Sequence, residues 1–190
     1  MKTNVLCYLE RSARECPQKM ALVDETRHFT YEEVLTLSRR IGTGLSHLVS
    51  RKQGVGVYME KEALTLCVFF GAVYAGCFYS ALNTELPPSR LGQIASVLEP
   101  GVIVTTQALE ASAREIFPDR TLVTVEELSR WEADLPRLEA IRERHADTDP
   151  LYINFTSGST GVPKGIVVCH RSVLDFIGCF TDIFAIGQYW

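Results

Sequence analysis

Ala63 to Leu82 reads ALTLCVFFGAVYAGCFYSAL, twenty consecutive residues without a charge, and its reading decides the fold. Twenty apolar residues are the length of a membrane-spanning helix. Three features favour a different reading. Gly71 and Gly76 break the run, Thr65 and Ser80 add polar interruptions, and from Cys77 onward Phe78 and Tyr79 favour extended backbone. The stretch is therefore predicted to be a buried helix to about Ala75, a turn at Gly76 and a short buried strand. A membrane-associated protein using residues 63–82 is the competing expectation.

Working outward, strand-like and helix-like segments alternate. Val55 to Met59 reads as a strand before the apolar run. After it come a helix over Pro88–Leu98 with a Pro-Pro start, a strand over Val102–Thr105 and a helix over Leu109–Ile116. A strand over Thr121–Val125 and a helical turn or two to Trp131 follow. Toward the amino terminus, Asn4 to Cys16 is an amphipathic helix stopped by Pro17, with Val5, Leu6, Leu9 and Ala13 on one stripe. Residues 21–23 and 28–30 flank a polar Asp-Glu-Thr-Arg turn, the spacing of a hairpin. Thr30-Tyr31-Glu32-Glu33 fits a capping box for a helix that carries Val34, Leu37, Ile41, Leu45 and Leu48 and ends by Ser50. The glycine pairs Gly42/Gly44 and Gly54/Gly56 lack the third glycine of a dinucleotide fingerprint and are assigned to helix packing and to a turn.

Residues 132–150 are charged and poor in apolar side chains, and read as a connection with one exposed helical turn near Leu138–Arg142. Strands over Leu151–Thr156 and Gly165–Val168 follow, then a helix over Arg171–Phe184 with Val173, Leu174, Ile177, Phe180 and Phe184 inward. Strands alternating with helices of this length predict an α/β fold, a largely parallel sheet with helices on both faces. Residues 1–150 are expected to form one α/β subdomain and residues 151–190 the start of the next sheet segment.

Composition agrees with a folded core: of 190 residues, 46% are hydrophobic and 22% charged, and the net charge is −4. Neither sign gathers into a block, which argues against nucleic acid as a ligand. The six cysteines form no Cys-x-x-Cys pair and no metal spacing. Cys67, Cys77 and Cys169 lie among apolar neighbours and read as reduced packing residues. No apolar secretory segment opens the chain, so a cytoplasmic location is expected. His170 reads as a capping or surface residue, His28, His47 and His145 share no constellation, and Trp131 and Trp190 read as packing or boundary residues.

The chemistry is concentrated between the last two strands, in Thr156-Ser157-Gly158-Ser159-Thr160-Gly161-Val162-Pro163-Lys164-Gly165. Glycines let backbone N–H groups approach anionic oxygens, hydroxyls add donors, and Lys164 adds a mobile positive charge. Charge-assisted hydrogen bonds contribute roughly 1.5–3 kcal/mol each, so several together suffice for a triphosphate tail. Pro163 and Gly165 flank the lysine where a Walker loop has Gly and Ser or Thr, and no Gly-x-Ser-x-Gly elbow passes through Ser157 or Ser159. Composition alone also fits a bare hairpin loop.

Residue order separates the two. TSGSTGVPKG between the strands LYINF and IVV resembles the phosphate-binding signature of the adenylate-forming enzymes: acyl-CoA synthetases, luciferases and peptide-synthetase adenylation domains. FTYEEVL at 29–35, GAVYAGCFYSALNTELP at 71–87 and CHRSV at 169–173 resemble further motifs of that family, so the likeness covers nearly the whole chain. The spacing is most similar to peptide-synthetase adenylation domains and D-alanine–carrier protein ligases. Cys77, Ala81 and Asn83-Thr84 depart from the peptide-synthetase form.

The resemblance implies that a carboxylate, such as that of an amino acid, is activated with ATP as an acyl-AMP and passed to a phosphopantetheinyl carrier protein. It assigns Thr156, Ser157, Gly158, Ser159, Thr160 and Gly161 to the β- and γ-phosphates, Lys164 to the loop or the departing pyrophosphate, and Mg2+ to the phosphate oxygens. It places the acyl pocket, the adenine and ribose contacts and the catalytic lysine in a missing carboxyl-terminal portion. The chain is thus expected to be the amino-terminal part of a ligase, inactive alone and without catalytic residues of its own. A non-catalytic nucleotide-binding or scaffold module is the alternative.

Overall fold

The computed structural model describes residues 4–156 and 162–184. The chain opens with helix α1 (Leu6–Glu15), the hairpin strands β1 (Met20–Val23) and β2 (His28–Thr30), and helix α2 (Tyr31–Leu48). Then come β3 (Gly54–Tyr58), α3 (Ala63–Tyr74), β4 (Phe78–Ala81), α4 (Pro88–Leu98), β5 (Val102–Thr105), α5 (Glu110–Ile116) and β6 (Leu122–Thr124). The short α6 (Val125–Leu128), α7 (Leu135–Glu143), β7 (Pro150–Thr156), β8 (Lys164–Cys169) and α8 (His170–Phe184) complete it.

Six strands form one sheet in the order β6-β5-β3-β4-β7-β8, parallel except for the antiparallel edge pair β7–β8. β1 and β2 make a separate antiparallel pair. The crossover from β4 past β3 to β5 puts helices on both faces. Alternation along the central strands sorts the two cores: Val55, Val57, Val102 and Val104 pack under α2 and α3, while Tyr58 and Ile103 pack with Leu91, Ile94 and Ala95 of α4 and Phe117 after α5. Burial of each such aliphatic side chain contributes roughly 1.5–3 kcal/mol. β7 continues the same sheet through its register partner Tyr79↔Tyr152.

The charge-free run divides as expected. α3 ends at Tyr74, Gly76 turns with φ +71, and β4 begins at Phe78. Gly is suited to that left-handed conformation because it has no Cβ. Among the described residues, no helix is long and apolar enough to cross a membrane. The capping box opens α2 as read: the Thr30 hydroxyl accepts from the Glu33 N–H, and the Glu33 carboxylate accepts from the Thr30 N–H. A second box at Thr124 and Glu127 opens α6.

Three expectations need correction. Gly54 and Gly56 lie inside β3, not in a turn; a Cβ would sit 2.9 Å from the Phe78 ring at Gly54 and 3.1 Å from Ile103 and Leu82 at Gly56. The 132–150 segment contains the nine-residue helix α7, opened by Asp134 accepting from the Arg137 N–H, with Leu138 buried against Leu6, Val73 and Tyr74. One apolar side chain at the right place anchored a helix that composition made look like a linker. On α8, Phe180 and Phe184 point outward, 40% and 61% exposed, together with Phe176 and Ile183.

Candidate functional site

Parallel strands β3, β4, β5 and β7 deliver their carboxyl ends to one edge of the sheet, where doubly wound folds bind ligands. Thr156 is the last residue of β7, and its register partner is Lys164, the first residue of β8. The loop between them therefore leaves and re-enters the sheet at that edge. Val162 is exposed, Pro163 is buried, and Lys164 is exposed. The sequence-predicted residues Ser157, Gly158, Ser159, Thr160 and Gly161 lie outside the described residues. Arg90, on the first turn of α4, donates from Nη2 to the Thr156 carbonyl at 3.4 Å. The sequence reading missed Arg90, because a contact 66 positions away leaves no local signal.

At the ends of β3 and β4 is a cleft of about 670 Å3. Its walls include Val57, Met59, Leu66, Phe69 and Leu82, with Asn83, Thr84 and Glu85 on the rim. Asp24 of the hairpin turn closes one side. Its Oδ1 accepts from the Thr26 and Arg27 N–H groups at 2.8 and 2.7 Å, and its Oδ2 accepts from the Ala63 N–H, the first of α3, at 2.8 Å. These backbone donors hold the Asp24 carboxyl well below the usual carboxylate range. The Asp-Glu-Thr-Arg turn was legible in sequence; its reach to α3 was not.

Beyond this edge, the profile of the AMP-binding enzyme family matches residues 9–187, nearly the whole chain. The chain belongs to this family. Its sequence is 32% identical over 183 residues to an indigoidine synthase of Streptomyces lavendulae, covering 95% of this chain and 14% of that protein. It is 34% identical over 162 residues to nonribosomal peptide synthetase 13 of Aspergillus fumigatus, covering 84% of this chain and 7% of that protein. A crystal structure of the nonribosomal peptide synthetase FmoA3, in an α-methyl-L-serine-AMP bound form, superposes with a TM-score of 0.80. The identity there is 25%, over 93% of this chain and 19% of that one. The chain thus spans well under a fifth of the length of the curated relatives it matches.

In this AMP-binding domain the histidine readings change. His170 is fully buried at the start of α8, and its Nδ1 accepts from the Val5 N–H at 3.4 Å. Its ring meets His145 edge to face, with centroids 4.4 Å apart. His145 in turn lies 3.8 Å from Asp149, whose buried carboxylate accepts from Arg51 at 2.9 Å and Lys52 at 2.7 Å. Burial, with the neighbouring His145, pushes His170 down to about 4, and burial also lowers His145. Spacing along the chain could not pair residues 25 positions apart in different elements. His47 instead stacks on Trp131 at 4.8 Å, a packing contact.

The cysteines separate by burial. Cys67 and Cys77 are buried, and burial pushes both thiols up to about 12, which leaves them protonated packing groups. Cys169 is half-buried and Cys179 exposed. Among the described residues, no group of three or more His, Cys, Asp or Glu comes together as a metal site.

Proposed function

We propose that this AMP-binding domain carries the phosphate-binding loop of a longer ligase that activates a small carboxylate, such as an amino acid, as an acyl-AMP. The supporting observation is the pairing of Thr156 with Lys164 at the carboxyl edge of the parallel sheet, which brackets a glycine- and hydroxyl-rich segment with a lysine at its exit. In this reading a carboxylate oxygen of the substrate attacks the α-phosphorus of ATP, a P–O bond forms, and the bond to pyrophosphate breaks with the electrons leaving on pyrophosphate. Thr156, Ser157, Gly158, Ser159, Thr160 and Gly161 donate to the β- and γ-phosphate oxygens, and Lys164 neutralises charge that grows on the leaving group. Mg2+, bound together with the nucleotide, would offset the charge of the phosphate oxygens held by these loop residues. Arg90 steadies the strand end from which the loop departs.

The peptide-synthetase name of one relative and the α-methyl-L-serine-AMP of the FmoA3 structure support a substrate of the amino-acid kind, and with it we propose a phosphopantetheinyl carrier as the thiol acceptor of the acyl group. The chain alone is proposed to be inactive, because it spans so small a share of those relatives. The test is substrate-dependent ATP–pyrophosphate exchange by the longer protein. Lys164→Ala should lower exchange about ten- to a hundredfold, the loss of one charge-assisted contact, with Gly158→Ala acting in the same direction. Unchanged exchange in both variants, or full exchange by the 190-residue chain, would reject the reading.

A further inference from the structure

At the opposite, amino-terminal edge of the sheet, α2 and α3 end and the segments leading into β3 and β4 begin. A cavity of about 400 Å3 lies there, with Arg51, Arg137 and Arg144 in its lining beside Ser46 and Ser50. No acidic side chain lines it among the described residues. The sequence separates the three arginines by up to 93 positions, and α7 brings them together by laying Arg137 and Arg144 over the end of α2.

The arginines are only partly used. Arg137 donates from Nε to the Ser46 hydroxyl at 2.6 Å and from Nη2 to the Ser46 carbonyl at 2.7 Å, which answers the last turn of α2. Arg51 donates from Nη2 to the Arg144 carbonyl and to Asp149, yet its Nε is buried without a hydrogen-bond partner. Asp149 is also claimed by Lys52. Arg51 and Lys52 therefore share one carboxylate, and among the described residues neither Arg137 nor Arg144 is ion-paired. A buried N–H without an acceptor is costly, and like charges drawn together repel unless a counter-charge enters.

We infer that this cavity is a second anion site, one that takes the phosphate group of a small molecule. Guanidinium forks match tetrahedral oxyanions through paired N–H donors, and a dianion offsets the excess positive charge of arginines that no carboxylate in the lining answers. Carbonyls at the ends of α2 and α3 oppose an anion, but each helix end carries only about half a charge and Arg137 already covers that of α2. The site is separated from the loop at 156–164 by the length of the sheet and does not depend on the function proposed for that loop.

The experiment is calorimetric titration of the 190-residue chain with inorganic phosphate at fixed ionic strength, with acetate in a parallel titration. Phosphate is expected to bind, and Arg144→Gln, at an exposed position whose backbone carbonyl rather than its side chain accepts from Arg51, should weaken that binding about tenfold or more. Arg144→Lys keeps the charge but loses the fork and should fall between. Lys164→Ala should leave this component unchanged, which separates it from phosphate held by the loop. No phosphate binding, equal affinity in Arg144→Gln, loss in Lys164→Ala with retention in Arg144→Gln, or equally tight acetate would each overturn the inference. An unchanged melting temperature of Arg144→Gln without phosphate is expected and assigns the loss to the site; a lowered one transfers the test to Arg144→Lys, where equal affinity overturns it.

Discussion

Gly71→Ala tests whether the crossing of α2 and α3 is set by backbone approach. A Cβ at Gly71 would sit 2.5 Å from Ile41 Cγ2, 2.9 Å from Ile41 Cβ and 3.3 Å from the Gly42 nitrogen. Carbon atoms in contact rest at about 3.5–4.0 Å, so the helices must part by about 1 Å. Ile41 cannot turn aside, because it is fully buried and β-branched, with one favoured rotamer in a helix. Overpacking costs typically 1–3 kcal/mol, and alanine returns up to about 1 kcal/mol of helix propensity over glycine. The net expectation is a loss of about 1–2 kcal/mol, or a melting temperature lower by about 2–8 °C for a chain of this size. Gly92 on α4 is the control: a Cβ there meets nothing within 4 Å, so Gly92→Ala should stabilise by about 0.5–1 kcal/mol. Urea unfolding followed by far-ultraviolet circular dichroism reads both. The same substitution should move the midpoint in opposite directions. A Gly71→Ala protein as stable as Gly92→Ala would refute the reasoning.

Asp24→Ala should lower the melting temperature and raise amide exchange at Ala63, because the hairpin carboxylate is the cap of α3; unaltered protection at Ala63 would reject that role. Asp24 is held below its ordinary value, so its contribution is present above about pH 4 and disappears as the pH falls further. His170 works over a higher range. The unfolded imidazole titrates at 6.5 and the buried one at about 4, so on acidification the unfolded state takes the proton first. Stability should be full above pH 6.5 and fall by up to about 3 kcal/mol toward pH 4, and His170→Asn should flatten that slope in urea midpoints measured across the range. Iodoacetamide at pH 7.5 should label the exposed Cys179 and spare Cys67 and Cys77 in mass spectrometry of the native chain; early labelling of Cys67 would count against its burial.

The residue pattern by itself determined the α/β class, the division of residues 63–82 into helix, turn and strand, the capping box at Thr30 and Glu33, and the loop that marks the family. These are consequences of neighbours within one turn or one strand, where hydrophobic period, glycine and capping chemistry act locally. Tertiary structure decided the rest. Leu138 made a helix of a charged segment because a pocket between α1 and α3 was waiting for it. Gly54 and Gly56 became strand interior because adjacent side chains filled the space a Cβ would need. His145 met His170, Asp24 capped α3, Arg90 reached Thr156, and three arginines converged at the amino-terminal edge of the sheet, each across a sequence distance that carries no periodic signal. Local chemistry fixes what each segment prefers to be, whereas the burial of those segments against one another selects which distant polar groups must answer each other.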